Sequence, residues 1–135
     1  MAFYRRQGGL MDIWERLVDL EEKSKDFGLE WPNAITILQQ IESECREIRE
    51  HLDNAQPNQK ELQEEIGDLM HASMSLSWFL GFDSKNVLDK ACHKFENRLA
   101  MMKDIAKEQG YSDLKGKDFK FLLDVWELAK SRLKD

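Results

Sequence analysis

Apolar residues recur along this chain at every third or fourth position, in five stretches separated by breaks that carry glycine, proline or asparagine. That period predicts helices. The first is expected from about Leu10 to Asp26, with Leu10, Ile13, Trp14, Leu17 and Val18 on one side and Gly28 closing it. After a turn at "EWPN", a second helix starts near Asn33 and repeats Leu38, Ile41, Cys45, Ile48 and Leu52. The loop "DNAQPNQ" leads to a third near Lys60, with Leu62, Ile66, Leu69, Ser73, Leu76 and Leu80 on one stripe. Gly81 suits the left-handed position after a helix end, and Ser84 suits the N-cap of a fourth helix. That helix is expected to reach about Gln109, with Leu88, Ala91, Phe95, Leu99 and Met102 inward and Gly110 as its stop. A last helix, about Asp118 to Lys134, shows Phe119, Leu122, Trp126, Ala129 and Leu133. Ser73, Ser75 and Ser77 alternate with Met74, Leu76 and Trp78 like a strand, but the helical pattern upstream and the length of the run override that period. Short loops between long helices predict antiparallel neighbours, hence an all-α helical bundle forming a single domain over 1–135.

Composition narrows the class. With 41% hydrophobic and 34% charged residues, 135 residues are enough for one core. The net charge of −6 argues against nucleic-acid polymers and anionic membranes as partners. The longest run free of Asp, Glu, Lys and Arg, Leu69 to Phe82, is shorter than the ~18 residues of a membrane span. "MAFYRRQGGL" has arginines but no apolar segment behind them, so no signal peptide is expected. Cys45 and Cys92 stand far apart within helical patterns; they fit buried small apolar residues in a reducing cytoplasm better than a disulfide framework or a cysteine zinc site. The run "HASMSLSWFLGF" is apolar nearly all round its helix, so either the bundle centre or another subunit must cover it.

Against that run stands "ELQEEIGDLM", crowded with carboxylates. Glu44 and Glu47 sit three apart in the second helix, and Glu65 and Asp68 three apart in the third, each pair beside the apolar stripe. The midpoints of Glu47 with Glu65 and of Glu44 with Asp68 both fall in the intervening loop, so a simple hairpin sets each pair level. Four converging carboxylates repel unless a cation joins them, and oxygen ligands favour a hard ion, Mg²⁺ first and Mn²⁺ second. The competing reading is a solvated acidic face, which is how Glu61 and Glu64 are read, on a non-catalytic helical interaction module. His71, three after Asp68, raises a di-iron carboxylate bundle as a further alternative, but no good second such motif is present. Lys94 and Arg98 are spaced i, i+4 around Phe95 and form a compact cationic spot suited to phosphate, or to salt bridges with surface carboxylates. Trp31 is a candidate for stacking on a base and Asn97 for a sugar or base contact; docking onto the core and a solvated helix position are the structural alternatives. His51 and His93 read as peripheral.

In order, "ESECREI", "EEIGDLM" and "KFENR" resemble the MazG family of all-α nucleoside triphosphate pyrophosphohydrolases, relatives of the dimeric dUTPases. The resemblance runs from about Trp31 to Arg98, and leaves out the first ten residues and the last helix. Many members carry a glutamate just before ExxE, where this chain has Ser43, which leaves the number of metals open; Glu42 lies one residue off. The resemblance implies Mg²⁺ ligation by Glu44, Glu47, Glu65 and Asp68, with one glutamate available to orient the attacking water. It implies polyphosphate binding by Lys94 and Arg98, and attack of water on the α-phosphorus to give a nucleoside monophosphate and pyrophosphate. It also implies a homodimer or dimer of dimers, and a housecleaning role. The base preference is not legible, because its pocket walls come from several helices.

Overall fold

The structure, a computed structural model, describes residues 11–135 in full and, before them, only the backbone of Arg5–Arg6 and Gly9–Leu10. The reading of "MAFYRRQGGL" and the side chain of Leu10 therefore lie outside the described residues. Five helices follow a two-residue antiparallel ladder, β1 (Arg5–Arg6) with β2 (Gly9–Leu10): α1 (Ile13–Phe27), α2 (Ala34–Asp53), α3 (Gln59–Phe79), α4 (Ser84–Glu108) and α5 (Phe119–Leu133). The fold is all-α, as the periodicity predicts. Among the described residues no helix is long and apolar enough to cross a membrane.

The caps explain the boundaries. Asp12 accepts from the Glu15 N–H at 2.8 Å, so α1 starts at Ile13 and not at Leu10. Asn33 accepts from the Thr36 N–H, Asn58 from the N–H groups of Lys60 and Glu61, and Asp118 from the Phe121 N–H. Each satisfies donors that a helix start leaves without intrahelical partners. Ser84 is not the cap of α4. Asp83 takes that place, its carboxylate accepting from the Asn86 N–H and its carbonyl from the Val87 N–H, while Ser84 is the first helical residue and is buried. Gly81, with φ of 82°, makes the turn between α3 and α4 in a conformation that side chains rarely adopt.

The chain forms two compact units, Met1–Val87 and Leu88–Asp135. In the first, α2 and α3 pair as a hairpin. Its buried residues are Ile37 and Glu44 on α2 with Ala72 and Ser75 on α3. The buried stripe of α2 is thus turned by about one residue from the expected one: Leu38, Cys45 and Leu52 are exposed. On α3 the same turn leaves Ile66, Ser73 and Leu80 exposed. Cys45 and Cys92 are both free and exposed, which corrects the expectation of buried cysteines. From α1, Glu21 accepts a hydrogen bond from the buried Ser75 hydroxyl and pairs with His71 at 3.0 Å. His71 therefore serves a contact between α1 and α3.

In the second unit Ile105 of α4 packs with Val125 and Ala129 of α5, flanked by Met101, Met102, Leu114 and Phe121. The expected inward residues Leu88, Ala91, Phe95 and Leu99 are exposed and Met102 is half-buried as expected; after Ser84 the next buried residues of α4 are Ile105 and Ala106. Phe119, expected on the inward side of α5, is 76% exposed, and Val125 is buried in its stead. Arg132 clamps Glu108 through two parallel hydrogen bonds of 2.9 and 2.8 Å.

Candidate metal centre

Glu44 sits in the middle of α2 on its buried face, 6% exposed. Gln40, one turn earlier, donates its side-chain amide to Glu44 Oε1 at 2.7 Å. The other oxygen, Oε2, is buried and has no hydrogen-bond partner among the described residues. A buried carboxylate oxygen left without a donor is costly, and such sites call for an explanation.

The hairpin supplies one. Glu47, three residues on, and Glu65 from α3 bring carboxylate oxygens into the same place, so that one oxygen each of Glu44, Glu47 and Glu65 lies within 4.8 Å of the others. Crowding by Glu47 first and Glu44 second, with some loss of solvent, pushes the Glu65 carboxyl up from its ordinary 4.5 to about 7. Like charges this close cannot all remain ionised without a proton or a cation among them. His51 Nε2 stands 3.9 Å from Glu65 Oε1. The donor set is all oxygen, anionic and partly dehydrated, which fits a hard divalent cation. The trio could hold a metal ion.

Glu44, Glu47 and Glu65 come together as the hairpin register predicts for Glu47 and Glu65. Asp68 is exposed on α3 and is not one of the trio, in which Glu44 joins Glu47 and Glu65. Glu61 and Glu64 are exposed. Trp31 is half-buried in the turn before α2 and lines a cavity of about 210 Å³ with Trp78, Phe79 and Glu21. A larger cleft of about 1100 Å³, walled by Trp14, Trp78 and Phe82, includes none of the trio. Lys94 and Asn97 are exposed on α4 in the second unit. Arg98 there is only 15% exposed along its side chain, with Nε donating to Asp135 and the guanidinium 5.2 Å from the centroid of the Trp126 ring. Phe95 lies against the same indole, ring centroids 6.1 Å apart.

Sequence reasoning passed over Gln40 and read His51 as peripheral, although each lies one helical turn from an acid of the trio; the i, i+4 spacing was the available signal. It also placed Trp126 only on an inward stripe. Its partnership with Arg98 joins α4 to α5 across the loop between them and left no local signal.

Fold and site together define an all-α protein with a carboxylate trio across a helical hairpin. The family model of the MazG nucleotide pyrophosphohydrolase domain matches residues 33–114, from the cap of α2 to just beyond α4. The chain belongs to that family. It is 32% identical over 111 residues to a nucleoside triphosphate pyrophosphohydrolase/pyrophosphatase MazG of Thermotoga maritima, covering 82% of this chain and 41% of that protein. It is 27% identical over 115 residues to a nucleoside triphosphate pyrophosphohydrolase of Escherichia coli K12, covering 85% of this chain and 43% of that protein. The chain thus spans about two fifths of the length of these curated relatives.

Proposed function

We propose that this chain is a nucleotide pyrophosphohydrolase that cleaves a nucleoside or deoxynucleoside triphosphate between its α and β phosphates. The observation that carries the reading is the buried, partnerless Oε2 of Glu44 inside a trio of crowded carboxylates. Family membership and the names of the two relatives support the same reaction class.

Glu44, Glu47 and Glu65 would hold a divalent cation, Mg²⁺ or in its place Mn²⁺, with Asp68 closing in from the next turn of α3. When bound, the cation supplies Lewis acidity toward water and phosphoryl oxygens. One glutamate of the set orients the attacking water and accepts its proton. Water oxygen bonds to the α-phosphorus, the bond from that phosphorus to the α,β-bridging oxygen breaks, and pyrophosphate departs with the electron pair. Lys94 and Arg98 offset the charge on the polyphosphate. Trp31 and Asn97 are the proposed base and sugar contacts. A housecleaning role in the cytoplasm is consistent with this chemistry.

The exposed apolar residues of α3 and the turn after it support assembly into a homodimer or dimer of dimers. Ile66, Met70, Leu80 and Phe82 are 43%, 62%, 50% and 58% exposed. So much apolar surface on one stretch of chain supports that reading.

The test is incubation with Mg²⁺ and a panel of triphosphates, resolving products by ion exchange beside Glu47→Gln and Asp68→Asn variants. Monophosphate plus pyrophosphate is expected, with turnover falling by about 100-fold or more in the variants. Diphosphate plus orthophosphate would place the cleavage elsewhere. No turnover and no metal binding would leave a helical interaction module.

A further inference from the structure

Arg98 is held more firmly than a surface cation needs to be. Its side chain is 15% exposed, one face of the guanidinium lies over Trp126, and Nε donates to Asp135 Oδ2 at 3.2 Å. Asp135 reaches it through a bend in the backbone. Lys134 takes the left-handed conformation, φ of 57°, at the end of α5; its N–H donates to the Ser131 carbonyl, and that of Asp135 to the Lys130 carbonyl at 3.0 Å. A non-glycine residue rarely adopts that conformation unless its surroundings hold it there.

A guanidinium has five N–H donors, one on Nε and four on the two Nη atoms. Asp135 uses the Nε donor, and no partner of the Nη atoms is found among the described residues. Those two nitrogens form the edge that matches two oxygens of a phosphate. We propose that Asp135 is a positioning residue for polyphosphate binding: by holding Nε while Trp126 supports the plane, it fixes the guanidinium and reserves the Nη edge for phosphate oxygens. The inference rests on the reading of Arg98 as a phosphate ligand given above. A carboxylate near an incoming anion also repels it. Its place on the Nε side, away from the Nη edge, makes the orienting effect the larger one, because an arginine already fixed loses less rotamer freedom on binding.

Asp135→Ala and Asp135→Asn separate the two effects, since the asparagine amide oxygen still accepts from Nε but carries no charge. In the full chain with Mg²⁺, Asp135→Ala is expected to raise KM for the triphosphate roughly 3- to 10-fold while kcat changes less than about twofold. Asp135→Asn should recover most of that loss. Calorimetric binding of inorganic tripolyphosphate, which needs no turnover, should weaken by the same factor in Asp135→Ala. Circular dichroism confirms that each variant is folded. An Asp135→Ala protein with unchanged or lower KM and unchanged or tighter tripolyphosphate binding overturns the proposal, as does an Asp135→Asn protein that recovers nothing. Arg98→Ala tests the underlying reading separately: if it leaves tripolyphosphate binding intact, Arg98 is not a phosphate ligand, and Asp135 has nothing to position.

Discussion

Glu44 and Glu65 hold the conflict that defines the site. One is buried with a partnerless oxygen, and the other is pushed up to about 7 by its carboxylate neighbours. The consequence for stability has a definite sign. In the cation-free protein the folded state holds the Glu65 proton up to about pH 7, whereas the unfolded chain releases it near 4.5. Folded protein therefore binds more protons than unfolded protein between those values, and stability falls as pH rises through that window. Thermal melts of metal-free protein should show a midpoint that declines across it, with the slope flattened in Glu65→Gln. A melt indifferent to pH would mean that the carboxylates are not crowded. Gln40 acts on the other acid, Glu44, from one turn away, donating to its Oε1 at 2.7 Å. Gln40→Leu should keep the helix and weaken Mn²⁺ binding by about 10-fold or more, read by paramagnetic titration, as loss of an orienting partner usually does.

At the scale of elements, most boundaries were legible, as was the α5 stripe of Leu122, Trp126, Ala129 and Leu133, but the faces of α2, α3 and α4 were not. Asn33 and Asp118 lie at predicted helix starts and Asn58 two residues before one, and all three act as caps, because a short polar side chain there satisfies donors that nothing else reaches. Asn33→Ala should lower unfolding free energy by about 1 kcal/mol in urea titrations. The faces went wrong for a physical reason. On α2 the stripes Ile37, Ile41, Glu44, Ile48 and Leu38, Ile41, Cys45, Ile48, Leu52 share two residues, and a search for apolar period prefers the one without a glutamate. The fold chose the other, with Glu44 inside. The same preference set the acids at the rim of the core, while the hairpin register that joins Glu47 to Glu65 was legible from the loop midpoint. Contacts that depend on distant chain, such as Arg98 with Trp126 and Asp135, had no such marker.

Among the described residues, buried apolar side chains are few, and large apolar side chains on α3 stay exposed. Sedimentation at micromolar concentration should therefore find a dimer or larger assembly, dissociated by Met70→Glu; a wild-type monomer would contradict it. Within the second unit, Ile105 is fully buried, and Ile105→Ala should cost about 2–5 kcal/mol in denaturant unfolding. The carboxylate trio has one more effect, and it concerns motion. Its members come from both sides of the loop that joins α2 to α3, so an ion gripped by Glu47 and Glu65 would tie the two ends of that loop together like a reversible crosslink. Amide protons of the two helices beside the loop should then exchange more slowly when the cation is added and quicken again with a chelator, so that the hairpin reports the occupancy of its own site as a change in local opening.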